Sequence, residues 1–179
     1  MNLERRHIRL EGGSNMRDIG GYVSRDGRSV RWNRVYRSGA LWRLSKRDWE
    51  WVDRAGIACV CDLRSHEERA MAPTVWRGAC ELRAMDVAYD AVLLFDVPRD
   101  GKAGVNEMEE HFYLKFARLL APSLKRLFGA LLAGHVPIIV HCAAGQDRTG
   151  LAIGLLLIAL GIDRATIFGS WVITPTEGE

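Results

Sequence analysis

Short apolar runs alternate with amphipathic segments along this chain, which is the pattern of an α/β protein. Residues 57–63 (IACVCDL) and 137–141 (PIIVH) are nearly continuous apolar runs rich in β-branched residues, so they predict strands buried on both faces. Two shorter strands are predicted nearer the amino terminus, within residues 7–13 (HIRLEGG) and 30–39 (VRWNRVYRSG).

Helix start and stop signals organise the remaining segments. Ser45 opens a helix that Gly56 ends, and Ser65 opens a second, short helix. Pro122 divides a long amphipathic stretch, because proline favours the first turn of a helix. The carboxyl half is therefore expected to hold three helices, over residues 107–121, 122–133 and 148–160.

This alternation predicts an α/β fold with a central, mostly parallel sheet flanked by helices, in a single domain over residues 1–179. Residues 81–87 (ELRAMDV) predict one further strand, and residues 88–105 are irregular enough for a long active-site loop. In such sheets ligands bind beyond the carboxyl ends of the strands, where the loop after residue 141 lies.

That loop, HCAAGQDRTG, carries the candidate chemistry. A short loop entering a helix amino terminus can aim backbone N–H groups inward and form a nest for a phosphate-like dianion. Gly145 permits the bend, and the small Ala143 and Ala144 leave the mouth open. Arg148 can donate hydrogen bonds to two phosphate oxygens. The positive field of the arginine and the helix amino terminus also favours the thiolate of Cys142.

These residues predict in-line attack of the Cys142 thiolate on phosphorus, followed by hydrolysis of a phosphocysteine. The Thr149 hydroxyl can donate a hydrogen bond to sulfur, and no metal or other cofactor is required. An acid must protonate the leaving oxygen, and Asp147 is preferred because the loop itself positions it. The alternative acids are Asp62, Asp86, Asp90, Asp96 and Asp100.

The loop resembles that of the protein tyrosine phosphatase superfamily, in particular an atypical bacterial branch whose loop reads H-C-x-x-G-K-D-R-T-G. Four upstream blocks share the resemblance in the usual order: residues 15–22 (NMRDIGGY), 35–41 (VYRSGAL), 56–68 (GIACVCDLRSHEE) and 131–142 (LLAGHVPIIVHC). The resemblance covers most of residues 13–168. It implies a phosphatase fold and hydrolysis of phosphotyrosine, sometimes of phosphoserine, phosphothreonine or phosphoinositides.

The resemblance also implies roles for individual residues. Cys142 matches the nucleophile, Arg148 the phosphate-binding arginine, and Asp147 a proposed acid. The residues expected to bind or border the phosphate are Ala143, Ala144, Gly145, Gln146, Gly150, Asp62 and Arg64. The movable Trp-Pro-Asp loop of eukaryotic relatives has no counterpart in this sequence, so the alternatives for the general acid remain.

Supporting roles are expected beside the loop. His141 is interpreted as a hydrogen-bonded structural residue, while Asn15 and Arg17 are expected to brace the loop in a turn. Cys59 and Cys61 share one face of a buried strand and are expected to pack in the core. A role for Cys61 as a resolving thiol is the alternative.

Two features depart from the family pattern. Gln146 replaces the usual lysine and removes a cation, which shifts the expectation from phosphoinositides toward protein phosphates. The chain also ends at Glu179 where the family continues, so we expect either a minimal member or a homodimer that covers the exposed surface. A phosphoinositide phosphatase and a phosphate-binding pseudophosphatase remain the alternatives.

Charge, apolar runs and cysteine spacing indicate which partners and which cellular compartment to expect. The net charge is +3, with arginine concentrated in the amino-terminal part, yet no nucleic-acid-binding motif is present. The first ten residues lack the apolar core of a signal peptide, and the longest apolar run is about half a bilayer span. Four cysteines without zinc-ligand spacing suit a reducing compartment. We therefore expect a cytoplasmic protein without stable membrane insertion, acting on a phosphotyrosine protein or another phosphomonoester.

Overall fold

The sheet that carries the loop is small and mixed. A computed structural model describes residues 4–75 and 105–171 of the chain, so the predicted strand at 81–87 and most of the irregular segment after it lie outside the described residues. The strands are β1 (Arg17–Asp18), β2 (Val35–Ser38), β3 (Cys59–Asp62) and β4 (Ile138–His141). The helices are α1 (Lys46–Arg54), α2 (His66–Met71), α3 (Val105–Leu132), α4 (Asp147–Ala159) and α5 (Arg164–Trp171), preceded by a 3₁₀ turn at Glu4–Arg6.

The strands are ordered β1-β2-β4-β3. β2, β4 and β3 are parallel, while β1 is antiparallel to β2 at one edge. In this register His141 lies beside Ser38 on one side and Asp62 on the other. The carboxyl ends of three parallel strands therefore meet at one place, and β4 continues from there into the loop.

Two apolar clusters cover the two faces of this sheet. Ile138 and Val140 of β4 pack in a cluster with side chains of α3 and α4. Ile139, between them, packs in the other cluster with Trp49 and Val52 of α1. Because successive strand residues point to opposite faces, β4 is buried on both, as its continuous apolar run predicted. The predicted α/β class is confirmed.

The prediction of two helices divided at Pro122 is wrong, because α3 runs continuously through that proline. Phe116, Leu120, Leu124 and Leu127 are buried at helical spacing on both sides of it. Proline removes one backbone hydrogen bond from a helix interior, and the continuous apolar face packed on the sheet offsets that loss.

The predicted amino-terminal strands are shorter than expected. Within residues 7–13 only His7 pairs, in an isolated bridge to Arg17, and within residues 30–39 only Val35–Ser38 forms a strand. The predicted helix starts are confirmed, since Ser45 and Ser65 each form a capping box with the residue three positions later. In the described part of the chain, no helix is long and apolar enough to cross a membrane.

Candidate active site

The candidate nucleophile lies at the bottom of the loop formed by residues 142–148, which we call the phosphate loop. β4 ends at His141 and α4 begins at Asp147, so the loop joins the central strand directly to a helix amino terminus. Cys142 is only 2% exposed, whereas Ala143 and Ala144 are exposed at the mouth. The first turn of a helix leaves N–H groups unpaired and carries partial positive charge, so this geometry favours an anion.

Gly145 makes the tight turn of the loop possible. Its φ is +73°, and a Cβ built there would lie 2.6 Å from the backbone of Ser38 and Gly39. Only glycine adopts this conformation in this space without strain. The Gly145 N–H then points inward and donates to Cys142 Sγ at 3.3 Å.

The carbonyls of the loop are held from outside by a turn before β1. Asn15 Nδ2 donates to the carbonyls of Ala144 at 3.2 Å and Gly145 at 3.1 Å, and Arg17 Nη2 donates to Asn15 Oδ1 at 2.7 Å. Asn15 itself has φ +57°, a left-handed conformation that asparagine tolerates. With the carbonyls facing outward, the intervening N–H groups are free to face the cradle. The bracing expected of Asn15 and Arg17 is therefore supported by their contacts.

β2 and the residues after it hold the other side of the loop. Arg37 Nη2 donates to the Gly145 carbonyl at 2.8 Å, and the Ala40 N–H donates to the Ala143 carbonyl at 2.8 Å. Sequence reasoning did not single out Arg37 as a site residue. The signal was present, because an arginine within a strand that is otherwise buried is unusual unless it has a specific partner.

Arg148 is oriented by Glu68, a second residue that sequence reasoning missed. Arg148 Nη2 donates to Glu68 Oε1 at 2.7 Å, and Nη1 donates to Oε2. Burial alone would raise the pKa of Glu68, but hydrogen bonds from Arg148 and from the Ser65 N–H outweigh it and lower that pKa. A guanidinium held at its two terminal nitrogens has a defined plane, which suits bidentate recognition of phosphate. The capping-box pattern at Ser65 pointed to Glu68, but only as a helix cap.

Asp62 and Arg64 form an ion pair behind the loop. Arg64 Nε donates to Asp62 Oδ1 at 2.9 Å, and Nη2 donates to Oδ2 at 2.7 Å. Arg64 also donates to the Ala72 carbonyl and the Thr74 hydroxyl, and it is 2% exposed. Burial acts to raise the pKa of Asp62, but the protonated form of His141, present at acidic pH, and the hydrogen bonds and charge of Arg64 outweigh it and lower that pKa. The two side chains therefore bind each other and neighbouring protein groups, and this geometry does not favour direct contact of either with the phosphate.

His141 is fully buried at the end of β4. Its Nδ1 lies 3.2 Å from the Cys142 carbonyl, which can only accept, so Nδ1 carries the proton. Burial lowers the pKa of His141 despite the opposing charge of Asp62, whose Oδ2 lies 3.6 Å from Nε2. A neutral imidazole in this position supports the expected structural role.

The remaining predicted loop residues lie at the start of α4. Gln146 is the N-cap residue without a side-chain capping bond, Asp147 is exposed, and the Gly150 N–H donates to the Gln146 carbonyl at 2.6 Å. Thr149 is buried, and among the described residues its hydroxyl has no hydrogen-bond partner. The bond expected from Thr149 to sulfur is thus not formed here, and the role remains a prediction. The other candidate acids, Asp86, Asp90, Asp96 and Asp100, lie outside the described residues.

The two thiols of β3, Cys59 and Cys61, are buried. Cys59 and Cys61 are buried in the same apolar cluster as Cys142, as expected for core packing. Burial, followed by the charges of Cys59 and Asp62, raises the pKa of Cys61 to about 12. Because the thiolate is the reactive form, this geometry does not favour Cys61 as a resolving thiol. Across residues 4–75 and 105–171, no cluster of three His, Cys, Asp or Glu side chains is arranged to hold a metal ion.

Sequence comparison places this loop in a known family. A profile described as "Tyrosine phosphatase family" matches residues 8–178. The chain belongs to the tyrosine phosphatase family. The resemblance inferred from the loop and its upstream blocks is therefore confirmed.

Two curated relatives illustrate the similarity. A Cupriavidus necator protein, named as a tyrosine-protein phosphatase, is 32% identical over 89% of this chain and 59% of its own length. The "Triple specificity protein phosphatase PtpB" of Mycobacterium tuberculosis is 28% identical over 91% of this chain and 67% of its own. The chain thus spans about three-fifths to two-thirds of the length of these relatives. Among solved structures, Pseudomonas aeruginosa TpbA aligns with a TM-score of 0.41 at 14% identity, over 80% of this chain and 70% of its own.

Proposed function

We propose that this family member is a cysteine-dependent phosphatase that hydrolyses phosphomonoesters, with phosphotyrosine in proteins as the preferred substrate class. The observation that carries the proposal is the inward Gly145 N–H bound to Cys142 Sγ at 3.3 Å, in a loop that opens a helix. An N–H donor and a helix amino terminus both stabilise a thiolate, and the same groups suit the phosphate it attacks.

In the first step the Cys142 thiolate attacks phosphorus opposite the leaving oxygen. The S–P bond forms as the O–P bond breaks, and an acid donates a proton to the departing oxygen. Arg148, oriented by Glu68, binds two nonbridging oxygens and offsets the charge that develops on them. In the second step water attacks phosphorus, its proton returns to the acid's conjugate base, and the thiolate and inorganic phosphate are released.

Asp147 suits the acid better than Asp62. Asp147 is exposed at the first position of α4, where the mouth of the loop opens. Both carboxylate oxygens of Asp62 are engaged by Arg64, which favours the ionised form and lowers its pKa, so Asp62 is the weaker proton donor. Asp62 and Arg64 act instead as a brace behind the loop.

Gln146 favours singly phosphorylated protein substrates over phosphoinositides. It lies at the mouth of the loop, and a neutral amide adds hydrogen bonds but no charge for a second phosphate. The name of the mycobacterial relative indicates triple specificity for that protein. We therefore keep phosphoinositides as the second candidate substrate class.

Turnover of p-nitrophenyl phosphate in the presence of EDTA tests the mechanism. We expect the native protein to turn over in EDTA, and Cys142→Ser to lose turnover while it still binds a phosphotyrosine peptide. Activity retained in Cys142→Ser, or lost to EDTA, contradicts the mechanism. Peptide binding without any turnover of the native protein instead indicates a pseudophosphatase.

The expected compartment and assembly are also part of the proposal. A catalytic thiolate resists oxidation best in a reducing environment, which supports a cytoplasmic location. The homodimer remains a prediction, and sedimentation analysis of the full chain tests it.

A further inference from the structure

Arg37 is a charged residue in an almost fully buried position. It lies in β2, paired with Arg17 of β1 on one side and Val140 of β4 on the other. It is 5% exposed, and its Nη2 donates to the Gly145 carbonyl at 2.8 Å. A strand residue thus brings a guanidinium directly beneath the turn of the phosphate loop.

No carboxylate within residues 4–75 and 105–171 forms an ion pair with this guanidinium, and its Nε has no hydrogen-bond partner there. Burial, and then the neighbouring Arg17, lower the pKa of Arg37 to about 10, while Tyr22 and Cys142 act in the opposite direction. Arg37 therefore stays charged at neutral pH. A buried, unpaired cation is costly to a fold, so its presence requires a compensating negative group.

Tyr22 and Cys142 are the two groups whose negative forms favour the charged form of Arg37, and Cys142 is the one joined to it through the phosphate loop. Gly145 connects the two residues, because its carbonyl accepts from Arg37 while its N–H donates to Cys142 Sγ. Cys142 is also among the groups whose negative form favours the charged form of Arg37. The favourable interaction is reciprocal, so the Arg37 charge equally favours the thiolate.

We propose that Arg37 is a positioning residue that stabilises the Cys142 thiolate by its charge and holds the Gly145 carbonyl out of the phosphate cradle. The inference rests on the proposed cysteine chemistry and adds a residue to it. Arg37 acts through the loop and does not bind the substrate. The thiolate, once formed, offsets part of the cost of this buried charge.

Other charged groups surround the thiol and are left in place by the test. Arg17 and Tyr22 face Arg37 from the β1 side. The other groups are His141 at the end of β4, the ion-paired Asp62 at the end of β3 and the Glu68–Arg148 pair. A neutral residue at position 37 therefore removes one charge from an otherwise unchanged set.

The test compares Arg37→Met and Arg37→Gln with Arg34→Met, which removes an exposed arginine just before the same strand. The rate of alkylation of Cys142 by iodoacetamide is followed against pH, with mass spectrometry of the Cys142 peptide. Thermal unfolding of each full-length variant is measured in parallel. Alkylation reports the reactivity of the Cys142 thiolate without any need for turnover.

We expect both Arg37 variants to slow alkylation of Cys142 near neutral pH by up to about tenfold, as removal of a nearby opposite charge should. We also expect Arg37→Met to unfold at the same or a higher temperature, because it removes a buried charge that has no ion-pair partner among the described residues. Arg34→Met should change neither quantity. An unchanged rate of alkylation in folded Arg37→Gln, or a large loss of thermal stability in Arg37→Met, overturns the proposal. Slower alkylation in a protein without turnover contradicts only the proposed phosphatase function.

Discussion

Glu68 accepts hydrogen bonds from the two terminal nitrogens of Arg148, one with each carboxylate oxygen. The same Glu68 accepts the Ser65 N–H at 2.7 Å and so closes the capping box of α2. A short helix after β3 thereby sets the plane of the arginine that follows β4. Two segments far apart in sequence are joined at the site by this one carboxylate.

Glu68→Gln should lower kcat/KM by about 10- to 100-fold, because misplacing a phosphate-binding group by about 1 Å is costly. Glutamine also closes a capping box, so α2 should persist and only the ion pair is lost. Steady-state kinetics with p-nitrophenyl phosphate measures the effect. Glu67→Gln, at the exposed neighbouring position, is the control. Equal kinetics in the two variants would show that the ion pair does not orient Arg148.

Asn15→Gly should weaken catalysis while leaving the turn intact, since glycine adopts the left-handed conformation freely. The variant removes the amide that holds the carbonyls of Ala144 and Gly145. Asn33→Gly is a matched control, because Asn33 has the same φ of +57° and its side chain accepts a hydrogen bond from the Tyr36 hydroxyl. We expect kcat/KM to fall about tenfold or more in the first variant only. A similar fall in both would mean that backbone flexibility, and not the bracing amide, is responsible.

Gly145→Ala should destabilise the fold more than Gly134→Ala. Both glycines have positive φ, +73° and +78°, but a Cβ clashes with the backbone only at Gly145. The left-handed conformation alone costs about 1–2 kcal/mol for alanine, so Gly134→Ala gives the reference value. Urea unfolding measures the difference. If the two losses are equal, the loop has room to move away from Ser38 and Gly39.

The free energy of unfolding should fall as the solution is acidified below about pH 6.5, with a slope of at most about 1.4 kcal/mol per pH unit from His141. Burial lowers the pKa of His141, so the unfolded chain takes up the proton first and becomes favoured. The lowered pKa values of Asp62 and Glu68 affect the free energy of unfolding only at more acidic pH, near and below the ordinary carboxyl range.

His141→Asn keeps an N–H donor near the Cys142 carbonyl but does not titrate. Urea unfolding at about pH 8 and about pH 5.5 should therefore show a smaller loss of stability in this variant than in the native protein. His66→Asn, at an exposed position of α2, should behave as the native protein does. The same loss in all three proteins would exclude His141 as the source.

Gln146→Lys should raise activity on phosphoinositides relative to p-nitrophenyl phosphate. A partly exposed ammonium at the mouth of the loop attracts a second phosphate, and an effect of about two- to fivefold is reasonable for such a charge. Ala165→Lys adds the same charge on α5 and should leave the ratio unchanged. An unchanged ratio in Gln146→Lys would show that position 146 does not select the substrate.

The phosphate loop and the strand that leads to it could be predicted from residues that are neighbours along the chain. A continuous apolar run ending at His141, followed by small residues and then a helix, places Cys142 at a helix amino terminus by local rules alone. The caps at Ser45 and Ser65 follow equally local patterns. These predictions succeeded because each depends on residues within a few positions of one another.

The contacts that distant residues make with the phosphate loop depend on the tertiary fold. Pro122 does not end its helix, because the packing of Phe116 and Leu127 outweighs one lost hydrogen bond. Glu68 and Arg37 reach residues 148 and 145 only because β3 and β2 both lie beside β4. The order of strands in a sheet is a global property of packing, so no local pattern could show which residue of the phosphate loop each of them contacts.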